Sequence, residues 1–259
     1  MYDIEMHEVS PEFTKCWQAA GLHIQNQMRD GGLNWLRANL TPPFLEHLSF
    51  RLGNQLFFIR IEDVDDDLDL PGNISGLYAI ADSCKGHACL MPMMKKFLGG
   101  NWVTDKPGWG LIDARTGTII DPINLVSDEK IEMTPWELQD FAVQVVRDYL
   151  KKDGYELMST QGNPAVDPSI WFIGDSKGPE WVVVRAVHYP EREAKLPENW
   201  NNIAQMCAKL SLIGYFAAVS FASDYQTFET EDDHPVPLWR GHAVHVSYKG
   251  LVPMPRLSR

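Results

Sequence analysis

Apolar residues recur along the first half of the chain at two spacings, one typical of helices and one of strands. A helix is predicted over residues 11–29, where an apolar face ends before two glycines. A short second helix is predicted around Trp35 and Leu36, and a further helical apolar face spans residues 44–52. Residues 55–62 are almost continuously apolar. We therefore expect a strand that lies inside a sheet.

Shorter apolar runs follow before residue 122. Residues 77–81 fit either a strand or a turn of buried helix, because periodicity does not separate the two in so short a run. Residues 108–121 predict a β-hairpin that turns at residues 114–117. Trp102 and Trp109 flank its entry, so their rings are expected either to pack over the hairpin or to offer an exposed aromatic surface to a partner.

The second half opens with the best-marked helix of the chain, predicted over residues 134–150. Thr134 and Glu137 form a capping box, with Pro135 at the first helical position. Helical spacing predicts a buried stripe made of Leu138, Phe141, Ala142, Val145 and Tyr149.

Extended runs and a second helix come next. Residues 169–173 and 181–187 predict two antiparallel strands joined by a turn. A helix over residues 200–212 and a strand over residues 215–221 complete the order. Residues 238–248 alternate well enough to predict a closing strand.

This order of helix, strands, helix and strand resembles the core of the PD-(D/E)XK nucleases, above all their Mrr-like restriction-endonuclease branch. The run Pro135-Trp136-Glu137-Leu138, followed by Gly154-Tyr155, is similar to the first helix of that family. The resemblance implies a metal-binding aspartate at the head of the next strand, where Asp167 stands. The family's following strand carries an acidic residue or Gln, one spacer and a lysine, and this chain has Val183, Val184 and Arg185 at that place.

That departure bears directly on the chemistry. Mg²⁺ needs hard oxygen ligands, and Val183 supplies none. Arg185 stays protonated, so it is suited to contact a phosphate but not to accept a proton. Glu180 and Glu137 are the two candidates to replace the missing carboxylate.

Two hypotheses follow from the resemblance. The first is a nuclease-like domain with an altered site, which acts through a protein partner in bacterial defence or in a toxin and antidote system. It needs no cofactor. The alternative is an active Mg²⁺-dependent DNA or RNA hydrolase, which uses Asp167 as metal ligand with Glu137 or Glu180, and Arg185 as the phosphate contact. Nucleic acid is a partner only in that case.

The predicted fold class is α+β. An N-terminal α+β part over residues 1–128 is followed by a restriction endonuclease-like α-β-β-α-β core over residues 129–259. Residues 122–130 are polar and show no periodicity, so they are the predicted boundary. No apolar run is long enough to span a bilayer, and four cysteines without a spaced framework suggest reduced thiols. The expected location is the cytoplasm, although an effector exported without a cleaved signal would have the same composition.

The charge balance argues against a nucleic-acid binder. The formal net charge is −12 and the pI is about 5.1. Residues 1–128 hold 10 basic and 17 acidic residues, and residues 129–259 hold 13 and 18. Neither half is basic, so we expect only weak binding to DNA.

Two further clusters invite a metal interpretation. Residues 63–69 are rich in aspartate, but Leu68 and Ile74 stand where a calcium loop of the EF-hand type needs Gly and Glu. Cys84, His87 and Cys89 lie close together, which leaves open a zinc site, a nucleophilic cysteine in a small-molecule enzyme, or a buried turn.

Overall fold

A computed structural model describes residues 10–28, 31–38, 47–65, 67–68, 73–97, 99–229 and 234–255. The chain divides into two compact units, Met1–Ile131 and Glu132–Arg259. Both units combine helices with a mixed sheet, which confirms the predicted α+β class. No helix among the described residues is long and apolar enough to cross a membrane.

The first unit is a seven-stranded sheet with helices on its two faces. Its elements are α1 (Pro11–Gln27), β1 (Leu33–Arg37), β2 (Leu48–Leu52), β3 (Gln55–Asp63), α2 (Ile74–Ser83), β4 (His87–Lys95), β5 (Trp102–Thr104), β6 (Leu111–Asp113) and β7 (Ile119–Ile120). The strand order is β1-β2-β3-β4-β6-β7, with β5 also paired to β4. Among the described strands of this sheet, only β3 and β4 run parallel, and α2 connects them.

The structure contradicts the two helical predictions between α1 and β3. Trp35 and Leu36 lie in β1, and residues 48–52 form β2, while residues 39–46 lie outside the described residues. Leu48, Phe50 and Leu52 alternate along β2 and all face the core. The same residues therefore fit a period of two, and pairing with β3 decided between the two patterns.

Two other predictions for this unit are confirmed, since β3 is an inner strand and β6 and β7 form the hairpin. Of the two alternatives left open for residues 77–81, the structure shows the helix, capped by Asn73. Trp102 and Trp109 are 8% and 5% exposed, so the packed alternative holds and the exposed aromatic surface was wrong.

The predicted boundary segment belongs to the first unit. Its first residues form a short 3₁₀ helix, Pro122–Leu125. The Asn54 side chain, in the turn between β2 and β3, donates to Ser127 Oγ at 3.1 Å and to the Glu129 carbonyl at 2.8 Å. Those bonds hold the segment on β2 and β3, and the division falls after Ile131.

The second unit has a six-stranded sheet. Its elements are α3 (Pro135–Lys152), β8 (Glu156–Thr160), β9 (Ile170–Ile173), β10 (Pro179–His188), α4 (Trp200–Cys207), β11 (Gly214–Ser223), β12 (Val244–Tyr248) and β13 (Val252–Pro253). The strand order is β12-β11-β10-β9-β8, and β13 pairs with β11. β8, β9 and β10 are antiparallel, whereas β10 and β11, which flank α4, are parallel.

The two faces of β10 bury against different helices. Val182 and Val184 pack in the core under α3, and Trp181 and Val183 pack in the core under α4. The predicted strands and their opposite faces are therefore confirmed. β8 was not predicted, because its residues (ELMST) are mostly polar.

Both helices of the second unit differ in detail from their predictions. α3 buries Ala142, Val143, Val146 and Leu150, whereas Tyr149 of the predicted stripe is 39% exposed. α4 ends at Cys207 instead of residue 212, and Leu212 is 80% exposed. Position against the sheet decides which of several apolar residues on a helix become buried.

Candidate functional site

Asp167 and Arg185 are in contact beside the part of β10 that does not pair with β9. β9 pairs with β10 only as far as Val182, so the second half of β10 has no strand on that side. Asp167 precedes β9 and Arg185 lies in the middle of β10. Arg185 donates from NH1 to Asp167 Oδ1 at 2.9 Å and from NH2 to Asp167 Oδ2 at 2.5 Å. The arrangement is a bidentate ion pair that uses both carboxylate oxygens.

This ion pair lies on the α4 side of the sheet. The side chains of Arg185 and Asp167 are 22% and 10% exposed. Val183, two residues before Arg185, is fully buried with Ile203 and Cys207 of α4. Burial, and then the negative charge of Asp167, raise the pKa of the Cys207 thiol to about 12. Cys207 is therefore a neutral thiol beside the pair, not a nucleophile.

Glu180 lies on the opposite face of β10, with Val182 and Val184. It is buried and accepts hydrogen bonds from Ser176 Oγ at 2.7 Å and from Tyr215 Oη at 3.0 Å. Burial, and then the hydrogen bond to Glu180, raise the pKa of Tyr215 to about 12, so its hydroxyl stays protonated and donates. The Glu180 carboxylate holds the β9–β10 turn and does not meet Asp167.

Glu137 also lies on the α3 side of the sheet, in the first turn of α3. Its Oε2 accepts from Thr134 N at 2.8 Å, which completes the predicted capping box. Arg240 donates from Nε to Glu137 Oε1 at 2.7 Å and from NH2 to Oε2 at 2.8 Å. The side chains of Arg240 and Glu137 are 1% and 9% exposed. Glu137 is thus part of a buried ion pair that joins the start of α3 to the chain before β12.

The structure therefore brings together two of the four residues predicted for the site. Asp167 and Arg185 are in contact, while Glu137 and Glu180 are separated from them by the sheet. The missing carboxylate next to Asp167 is not replaced by either candidate.

Three residues near the predicted site had no part in the sequence predictions. Gln139 of α3 donates from Nε2 to the Val184 carbonyl at 2.8 Å and accepts from Ala186 N at 3.1 Å. Ser169 Oγ accepts from Val184 N at 3.2 Å. Arg240 is the third. No sequence signal marked Gln139, because it stands beside Asp140 and two residues after Glu137 in a polar part of α3.

The donor set does not fit Mg²⁺. A hard cation needs several oxygen ligands, and here one carboxylate is present with both oxygens bound by Arg185. Across the described parts of the chain, no group of three His, Cys, Asp or Glu residues is placed to hold a metal ion.

Cys84, His87 and Cys89 form a buried turn and strand start. Cys84 and Cys89 are fully buried, and His87 Nε2 lies 3.0 Å from Gln55 Oε1. Burial raises the pKa of Cys89 well above its usual range, which leaves it a neutral thiol. The zinc and nucleophile alternatives therefore have no support in this geometry.

The fold and the site together define an α+β protein whose second unit contains a bidentate ion pair between Asp167 and Arg185. A family described as "Domain of unknown function (DUF8840)" matches residues 136–254, which is less than half of the chain. The match begins inside α3 and ends after β13, so it covers most of the second unit. The comparison with curated proteins found no match, and neither did the comparison with solved structures.

Proposed function

We propose that the second unit is a PD-(D/E)XK-like domain of the Mrr-like type whose site no longer cleaves nucleic acid, and that the chain acts through contact with a protein partner. The order of elements supports this proposal, because α3, three antiparallel strands, α4 and a parallel strand follow one another. The meeting of Asp167 with Arg185 supports it as well. The proposed setting is the cytoplasm, in defence or in a toxin and antidote system.

The observation that carries the proposal is the bidentate pair of Arg185 with Asp167. A carboxylate that binds a metal must present its oxygens to the ion, and here the guanidinium occupies both. Val183, at the place of the family's second carboxylate, is apolar and buried. The positive charge of Arg185 replaces that of a cation, so the pair contributes to the fold without the ion.

The alternative, an active hydrolase, gains no support from the two replacement carboxylates. Glu137 is bound by Arg240, and Glu180 by Ser176 and Tyr215. Either residue would have to leave a buried network and cross the sheet to reach Asp167.

The direct test is a cleavage assay on the whole protein. Wild type should leave supercoiled plasmid, linear duplex and single-stranded RNA intact with either Mg²⁺ or Mn²⁺. Asp167→Ala should give the same result and differ only in stability. Asp82→Ala serves as control, since Asp82 pairs with Arg115 on the surface of the first unit.

Metal-dependent cleavage by wild type that Asp167→Ala reduces by several orders of magnitude would overturn the proposal in favour of the hydrolase. A second variant, Val183→Glu with Arg185→Lys, restores the residue types of the family's motif. Metal-dependent cleavage by this double variant, but not by wild type, would strengthen the proposal. The altered motif would then account for the lack of cleavage by wild type.

A further inference from the structure

Among the described residues of the second unit, no strand lies on the outer side of the edge strand β12. β12 pairs with β11 over all five of its residues. Within the described part of the chain, these residues have no further backbone hydrogen bonds to loops or turns. An edge strand with unpaired N–H and C=O groups is a template for another strand.

The opposite edge, β8, differs in the features that block such pairing. β8 begins with the exposed charge of Glu156, and its register with β9 shifts between Leu157 and Ser159. Charges and bulges are common means of preventing edge-to-edge association. Within β12 there is no proline, no register shift and no acidic or basic residue other than His245.

An apolar surface accompanies the open edge on the α3 side. Val244 and Tyr248 pack against the core under α3, and Val246, between them on the same face, is 40% exposed. Tyr149 of α3 is 39% exposed and its ring contacts that of Tyr248 edge-on, with 5.1 Å between centroids. Val246 and Tyr149 therefore give an added strand an apolar surface to cover.

We infer that β12 pairs with β12 of a second copy of this chain, antiparallel, about a two-fold axis at Val246. This register sets Val246 opposite Val246 of the second copy, Val244 opposite Tyr248, and His245 opposite Ser247. Apolar residues then face apolar residues on one side of the sheet and polar residues face polar ones on the other. A two-fold axis makes the contact self-complementary and closed.

The charge of the molecule is compatible with a second copy at this edge. The whole chain carries −12, and two such chains repel each other where their acidic surfaces face. Residues 241–251 contain no acidic residue and one lysine, Lys249, which pairs with Glu193. The strand that forms the contact therefore carries no acidic residue, and the acidic group beside it is Asp153, which is hydrogen-bonded to Tyr149.

The contact is small, which sets the expected strength. One five-residue strand pair and two partly exposed apolar side chains per copy bury less than the roughly 1,000 Å² typical of stable interfaces. We expect a dissociation constant of about 10–100 µM. This inference does not depend on the proposed function, since neither Asp167 nor Arg185 takes part.

Sedimentation equilibrium on the full chain tests the association. Wild type should rise from 29.4 kDa toward twice that mass as concentration passes through this range. Val246→Lys should weaken association by roughly tenfold, because two lysines then face each other at the axis. Met158→Lys is the matched control, since Met158 is 38% exposed on the other edge strand, and it should associate like wild type. Far-UV circular dichroism verifies that both variants are folded.

Cross-linking tests the register itself. Directly opposed residues of antiparallel strands have Cα atoms about 4.5–5.5 Å apart, within the range of a disulfide. The four native cysteines are all buried. Val246→Cys should therefore form a disulfide-linked dimer under mild oxidation, and Met158→Cys should not.

Three results would overturn the inference. One is wild type that stays at monomer mass up to about 300 µM, well above the expected dissociation constant. Another is equal association of Val246→Lys and Met158→Lys. The third is a Val246→Cys protein that does not cross-link at concentrations where wild type is dimeric.

Discussion

Glu137 combines two structural roles in one side chain. Its carboxylate caps α3 through Thr134 and pairs with the guanidinium of Arg240, 103 residues later in the chain. Both partners are removed from water, so each charge depends on the other. A buried ion pair adds little net stability against an apolar pair of the same shape, but loss of one partner leaves an uncompensated charge.

Glu137→Ala should therefore destabilise the protein strongly. We expect the free energy of unfolding to fall by about 3–5 kcal/mol, measured by urea denaturation, because Arg240 is left buried without its carboxylate. The double variant Glu137→Leu with Arg240→Met should recover much of that loss. Asp82→Ala, which breaks the exposed pair with Arg115, is the control and should cost less than about 1 kcal/mol. Equal effects of the two single alanine variants would show that burial is not the cause.

At the scale of the element, the side chain of Gln139 in α3 gives β10 the hydrogen bonds that a neighbouring strand would otherwise supply. Beyond Val182, β10 has no strand on its β9 side, and its backbone groups need other partners. The side-chain amide of Gln139 binds the Val184 carbonyl and the Ala186 N–H, as the backbone of a neighbouring strand would. Arg185 NH1 also donates to the Val184 carbonyl, at 2.8 Å. The Ala186 N–H is thus the group that depends most on Gln139.

Gln139→Ala should cost about 1–3 kcal/mol of stability, which is typical for one backbone group left unpaired. The Ala186 amide should also exchange faster with solvent deuterium, which NMR measures residue by residue. Gln144→Ala is the matched control on the same helix, because among the described residues Gln144 binds the Asp140 side chain alone, at 2.8 Å. This variant should change stability by less than about 0.5 kcal/mol. Unchanged exchange at Ala186 would contradict the role assigned to Gln139.

The β9–β10 hairpin depends on a glycine for space. A Cβ placed on Gly174 would lie 2.0 Å from Cδ of Glu180, whereas one on Gly178 would have its nearest neighbour at 3.8 Å. The buried Glu180 carboxylate is held by Ser176 and Tyr215 and has little freedom to move.

Gly174→Ala should lower the melting temperature, at a cost of about 1–3 kcal/mol for overpacking, while Gly178→Ala should be nearly neutral. Combining Gly174→Ala with Glu180→Ala removes the clash. The effect of the double variant should then be smaller than the sum of the two single effects. An additive result would mean that the carboxylate is not what excludes the side chain.

For the whole molecule, the dominant electrostatic fact is the net charge of −12. Binding to duplex DNA relies on Lys and Arg that neutralise phosphates, and Arg185 of the candidate site is already paired with Asp167. We expect no sub-micromolar binding to duplex DNA at physiological ionic strength, measured by fluorescence anisotropy. Tight binding that weakens steeply with added salt would contradict this expectation and favour the hydrolase.

The sequence by itself determined those features that depend on neighbours along the chain. Thr134, Pro135 and Glu137 fixed the start of α3, because a capping box closes within one turn. The turn at residues 114–117 predicted the hairpin of β6 and β7. In each case the stabilising contact lies within a few residues of the signal.

Tertiary structure alone decided the features that depend on distant partners. Leu48, Phe50 and Leu52 became a strand because β3 pairs with them. Gln139 became a strand partner because β9 begins only at Ile170, opposite Val182. The site depended on the same kind of contact. The resemblance placed Asp167 at the head of one predicted strand and Arg185 in the next. The side of the sheet on which Glu137 lies is set instead by its contact with Arg240, which its own helix does not predict. Periodicity along one segment carries no information about a partner that folding brings from another.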